Sequence, residues 1–233
     1  VIEARDYPVC RSSIEITCST AYIGVAETLK MAFVATVLGF LLSLPLAVLS
    51  SRNLYGDRIA IPTRMLLAAI RTIPSLIWAI LFVIMVGLGP VPGVLAMTFY
   101  TIGYIGKLQY EAIEGLSSSP LDAARAMGLG NIEIVERVVI PESANNLISQ
   151  CLFMFEYNVR QGSIVGIVGA GGLGTELFFY YDAQMYQRVM SLLIILFCVV
   201  VTIDLLSIKA RSYFVEESNF KRPYLFGNIF KEK

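Results

Sequence analysis

Gly169-Ala-Gly171-Gly-Leu-Gly174 has the G-x-G-x-x-G spacing of a backbone turn that cradles a pyrophosphate. The apolar run Ile164 to Val168 stands just before it, where a strand would. The chemistry implied is hydride transfer with a bound nicotinamide or flavin. Such a turn also needs a following helix and an acidic side chain about 20 residues on, which holds the ribose. Residues 189–194 read Val-Met-Ser-Leu-Leu-Ile instead. No alternation of strand and helix patterns surrounds the motif, and the membrane oxidoreductase reading fails on that context.

The other reactive side chains narrow the chemistry further. Histidine is absent, which removes His-based triads, HExxH metal sites and imidazole acid-base catalysis. The four cysteines form no CxxC pair, so no zinc or thioredoxin-like motif exists. Cys151 and Cys198 lie in apolar runs and read as inert. Cys10 and Cys18 share a polar segment, where a disulfide and two free thiols are both open. No GxxxxGK[ST] phosphate loop occurs. Lys+Arg and Asp+Glu balance at 18 each, so no basic field calls for nucleic acid. The side chains offer no catalytic, cofactor-binding or metal-ligating set.

Charges within apolar surroundings are the next candidates. Glu156 and Arg160 are spaced to pair on one helix face. Inside a membrane such charges are costly and face a bundle interior or a wet cavity. Two readings follow: an ion pair that fixes helix orientation, or an Arg160 that faces the path of an anion whose oxygens suit a guanidinium. Arg71 reads as snorkelling to the inner membrane surface. Asp204 reads as facing the helix core, with Lys209 as its offset. Trp78, Tyr100, Tyr104, Phe153 and Phe155 read as packing or interface-belt residues.

The elements that position these residues are membrane helices. The chain is 56% hydrophobic and 15% charged, with mean hydropathy +0.69. Soluble domains carry about 25% charged residues. Spanning helices need about 17–25 apolar residues. Five such stretches are predicted: Met31 to Ser51, about 65–87, about 93–110, from Pro141 to about Val159, and about 187–208. The second and third join through the tight turn Gly-Leu-Gly-Pro-Val-Pro-Gly, residues 87–93. Residues 1–26 form an outer segment, 27–208 the membrane domain and 209–233 an inner tail. The excess of Lys and Arg falls in residues 52–64, 107–140 and 209–233, which predicts an outside N-terminus and a cytoplasmic C-terminus.

The largest inner loop, residues 111–141, is strongly patterned. Ser119 is placed to cap a helix that starts at Pro120, with Asp122 at its third position. Gly128 ends that helix in a left-handed conformation. Asn131 caps a second helix, and Pro141 closes it before the fourth span begins. Leu121, Ala124 and Met127, then Ile132, Val135 and Val138, recur at helical spacing.

Asp122-Ala123-Ala124, three residues, Gly128, nine residues, then Val138-x-Ile140-Pro141 resembles the EAA loop of ABC-importer permeases. Asp stands for Glu, Val for Ile and Ile for Leu. The runs 27–53, 71–96, 100–114 and 158–177 are also similar to the phosphonate permeases of that family. The combination of Gly103-x-x-Gly106-Lys107-Leu108 with Asn158-x-Arg160 sets them apart from methionine and polar amino-acid permeases. The resemblance implies an all-α membrane protein of the type I importer fold, in a prokaryotic cell membrane, that is not itself an enzyme. It implies a homodimer with a path on its two-fold axis, for phosphonates or alternatively for phosphite, phosphate, methionine or polar amino acids. It further implies an ATPase dimer that holds the ATP and Mg, coupled through residues 119–141, and an extracytoplasmic binding protein. Ser119, Pro120, Asp122, Ala123, Ala124, Gly128, Val138, Ile140 and Pro141 become the coupling residues.

The glycine motif then needs another account. Gly162, Gly166, Ala170 and Gly174 recur every fourth residue, as in a close-packing helix ridge. Against that, Gly166, Gly169, Gly171, Gly172 and Gly174 crowd one stretch, and each costs a helix interior about 1 kcal/mol relative to Ala. The favoured expectation is a helix that breaks near Gly169, with irregular backbone as a hinge or outer gate. Glu156, Asn158 and Arg160 complete the candidate path.

Overall fold

A computed structural model describes residues 19–214. Cys10, Cys18, most of the predicted outer segment and the end of the predicted tail lie outside the described residues. Among the described residues, 89% are helical. The helices are α1 (Thr20–Ser50), α2 (Arg52–Thr72), α3 (Ser75–Val86), α4 (Pro90–Glu114), α5 (Ser118–Ala126), α6 (Asn131–Ile134), α7 (Ile140–Val165), α8 (Leu173–Asp182) and α9 (Tyr186–Phe214).

By length and composition, α1 and α9 are apolar enough to cross a membrane, and α2–α3 and α6–α8 qualify as bent pairs. The third predicted span, α4, is not among these and is largely surrounded by protein. It packs against α1, α2, α3 and α7. Small residues permit this: Gly39 of α1 meets Thr101, and Gly106 of α4 meets Leu67 of α2. Polar pins add specificity, as where Ser43 donates to Gln109 Oε1 at 2.8 Å.

Several boundaries differ from expectation. α1 begins at Thr20, within the predicted outer segment, and α9 continues past 208 into the predicted tail. The second predicted span is not one helix. α2 and α3 meet at 82°. Pro74 has no N–H and disfavours helical ψ in Ile73, which sits at ψ 118°. The 87–93 turn forms as expected: Gly87 and Gly89 take φ of 97° and 134°, and α4 starts at Pro90.

Candidate functional site

The inner loop folds into an elbow on the ends of three helices. α5 starts at Ser118 after the N-cap residue Ser117. Ser119 and Pro120 are therefore inside the helix, two positions further in than the capping reading placed them. Asp122 faces Arg125 at 3.0 Å rather than the helix end. Ala123 is exposed beside the buried Ala124. Gly128 is left-handed at φ 79°, as expected. The next cap is Gly130, whose N–H donates to Glu133 Oε2 at 3.0 Å. Asn131 instead donates to the Leu54 carbonyl at 3.2 Å.

Pro141 does not end the helix. α6 runs into α7 through a π-helical turn, Val135–Val139. The wider turn accommodates the carbonyls that a proline cannot bond. Asn131 to Val168 is one rod. Val138 and Ile140 flank the buried Val139 in that stretch.

The elbow is anchored from below and apolar on top. Leu121, Ala124, Ile134 and Val139 are buried with Ala47, Leu54 and Ile113. Arg64 pairs with Glu114, which also accepts the Arg52 N–H at 2.7 Å. Arg125 donates to the Asn53 carbonyl, and Asn53 donates to that of Ile113 at 3.0 Å. Met127 and Ile132, either side of the Gly128 turn, stay 71% and 76% exposed.

At the opposite end of the bundle the glycine motif breaks the helix where expected. α7 ends at Val165, a 3-10 turn covers Gly166–Val168, and Gly169, Gly171 and Gly172 have φ of 79°, 82° and 75°. The continuous four-residue ridge is thereby excluded. The turn is tightly clamped. Gly89 N–H donates to the Gly169 carbonyl at 3.0 Å, Gly172 N–H to Glu27 Oε2 at 3.1 Å and Leu173 N–H to Thr28 Oγ1 at 2.9 Å. The Glu27 carboxylate thus sits at the positive end of α8. A Cβ on Gly171 would lie 2.7 Å from Pro90 Cα, one on Gly166 2.7 Å from Gly174 Cα, and one on Gly174 against the Ser163 carbonyl oxygen.

The intramembrane charges resolve into a network. Glu156 is buried, pairs with Arg160 and accepts from Arg211 Nη2 at 2.9 Å. Asp204 lies 3.7 Å from Arg160, so its offset is Arg160 rather than Lys209. The network joins α7 to α9, which supports the orientation-fixing reading of the pair. Asn158 does not line a path within this chain. It is fully buried and bonds Thr36 at 2.9 Å and Thr101 at 3.0 Å, pinning α7 to α1 and α4.

Arg71 is also displaced from its expected place. Its backbone nitrogen lies 2.9 Å from where a Cβ of Gly103 would be, and Gly103 is midway along α4. Its backbone is therefore level with the middle of α4, while its side chain is exposed. Tyr100, Tyr104, Phe153 and Tyr157 form a stacked array between α4 and α7, with centroids 5.5 Å apart for Tyr100 and Tyr157. Tyr157, Gln161, Ser75 and Arg211 carry this chemistry and were missed. Only i,i+4 spacing within α7 (Tyr157 to Gln161) could have flagged any of them.

The described residues form an all-helical bundle with a structured elbow, as in type I ABC-importer permeases. Residues 35–211 match the family described as "Binding-protein-dependent transport system inner membrane component". The chain belongs to that family and is a permease subunit of an ABC importer, a transport rather than a catalytic subunit. It is 34% identical over 189 residues to the phosphite transport system permease protein PtxC of Stutzerimonas stutzeri, covering 81% of this chain and 69% of that one. It is 34% identical over 195 residues to the phosphate-import permease protein PhnE of Mycolicibacterium smegmatis, covering 83% and 37%. It is 35% identical over 121 residues to the putative cryptic phosphonate permease PhnE2 of Escherichia coli, covering 52% and 99%. Its fold matches the inward-facing methionine ABC transporter MetNI with TM-score 0.69 at 27% identity, covering 82% and 94%.

Proposed function

We propose that two copies of this chain form the membrane path of an importer for phosphonates or related phosphorus oxyanions. A separate ATPase pair, which binds ATP and Mg, docks on the elbow. An extracytoplasmic binding protein delivers the substrate to the glycine-turn end. The observation that carries this is the elbow. Leu121, Ala124, Ile134 and Val139 anchor α5 and the π-helical turn on the bundle, while Met127 and Ile132 present apolar surface beside Gly128. An exposed apolar pair on an otherwise fixed turn is suited to burial against a partner.

The orientation follows the same reading. Arg52, Arg64 and Arg125 gather at the elbow, which supports a cytoplasmic elbow and an outside N-terminus. The substrate reading is supported by the relatives named for phosphite, phosphate and phosphonate. The glycine turn, clamped to α1 and α4, serves as the rigid frame of the outer gate, and the hinging is left to other elements.

The test is uptake into proteoliposomes that hold this chain, its ATPase and its binding protein. ATP-dependent accumulation of labelled methylphosphonate, competed by phosphite and untouched by methionine, is expected. Methionine uptake without methylphosphonate uptake would overturn the substrate assignment. An inability of the chain to retain an ATPase would overturn the assembly.

A further inference from the structure

Among the described residues, every charge near the middle of this bundle has an ion-pair partner except one. Glu156, Arg160, Asp204 and Arg211 neutralise one another. Arg71, against the midpoint of α4, makes no ion pair with any described residue. It is exposed, at the last turn of α2 where the Pro74 bend turns the chain by 82°. An unpaired guanidinium at that depth is tolerable only where water or an anion reaches it.

The structure shows such a place. Arg71 lines a cavity of about 300 Å³ with Ser75, Tyr100, Tyr157 and Gln161. Its wall is a directed hydrogen-bond chain. Ser75 Oγ donates to Gln161 Oε1 at 2.9 Å, Gln161 Nε2 to the Tyr157 hydroxyl at 2.8 Å, and that hydroxyl to Tyr100 at 3.1 Å. The chain ends on the Tyr100 O–H, a donor with no acceptor among the described residues. The stacked rings of Tyr104 and Tyr157 fix Tyr100 in place. One permanent cation and one spare hydroxyl donor thus border a cavity of mixed polar and apolar lining between α2, α3, α4 and α7.

We infer that Arg71, with the Tyr100 hydroxyl, is the contact at which the translocated oxyanion is held in transit. The inference rests on the phosphorus-oxyanion reading of the transporter. A guanidinium offers paired N–H donors to the oxygens of a phosphonate or phosphite, and Tyr100 adds a third donor. A single cation suits transit, because a cluster of cations would retain the anion. Arg160, the other candidate, already holds two carboxylates and has less charge to offer.

The experiment uses the reconstituted transporter with its ATPase and binding protein. Arg71→Ala is expected to lower methylphosphonate uptake at least about tenfold, while basal ATP hydrolysis stays within about twofold. Arg71→Lys keeps the charge and is expected to recover part of the loss. Tyr100→Phe keeps the ring stack and is expected to raise the uptake KM several-fold. Wild-type uptake by Arg71→Ala would overturn the inference and leave the substrate reading standing. Absence of phosphorus-oxyanion uptake by the wild type would overturn the substrate reading itself. Should Arg71→Ala fail to assemble, Tyr100→Phe decides, and an unchanged KM overturns the inference.

Discussion

Glycine breaks the chain at both ends of the bundle, and the two breaks differ in what surrounds them. At the elbow, Gly128 has φ 79° and nothing within 4 Å of where a Cβ would stand. At the other end, Gly171 combines φ 82° with a Cβ position 2.7 Å from Pro90 Cα, and Gly174 abuts the Ser163 carbonyl. The first glycine is required only by backbone conformation. Gly171 is required by space as well, and Gly174 by space alone. An open turn can meet another protein, whereas a filled one can only hold the bundle's own helices in register. Residue type is identical, and the neighbours decide the role.

The comparison predicts a graded series. Gly174→Ala is expected to be the most damaging, about 3 kcal/mol or more, because backbone cannot yield as a side chain can. Its check is yield of monodisperse protein in detergent. Recovery of near wild-type material would mean that the outer turn is not filled. Gly171→Ala follows at about 2–3 kcal/mol, from left-handed strain plus the contact with Pro90. Denaturant or thermal unfolding in detergent reads it.

Ile132→Asp, with Met127→Asp beside it, is expected to leave that stability unchanged and to reduce ATPase copurification about tenfold or more. Full retention of the ATPase would remove the elbow from the docking surface. Gly128→Ala should cost about 1–2 kcal/mol locally, since only φ is strained. Gly128→Asn should cost less still, as asparagine tolerates left-handed φ. If Gly128→Ala proved as damaging as Gly171→Ala, the contrast between the two turns would fail.

The glycine break and the elbow's left-handed residue were legible because residue type alone dictates them. Leu121 and Ala124 were likewise readable as a buried face from their spacing. What escaped was contact between distant segments. Asp204 meets Arg160, and Arg211 reaches Glu156, because of how α9 lies along α7. No local pattern encodes that register. Arg71 was misplaced for a related reason: Pro74 signals a bend, but not that the bend carries the preceding turn to the middle of α4. Asn158 was misassigned because a polar residue in an apolar run looks equally like a lining or a pin. Only its partners, Thr36 and Thr101, decide.

The π-helical turn at Val135–Val139 has a consequence for torsion. It lies between the elbow and the charge network on a single rod, and it takes up one additional residue with little rotation of what lies beyond it. Removing one residue there would restore ordinary helix and leave Glu156 facing Arg211, whereas removing one elsewhere in the rod would rotate Glu156 by about 100° away from it. The two ends of the rod are keyed to each other in angle. The rod thus carries an extra residue near the elbow while its far end keeps the face that meets α9.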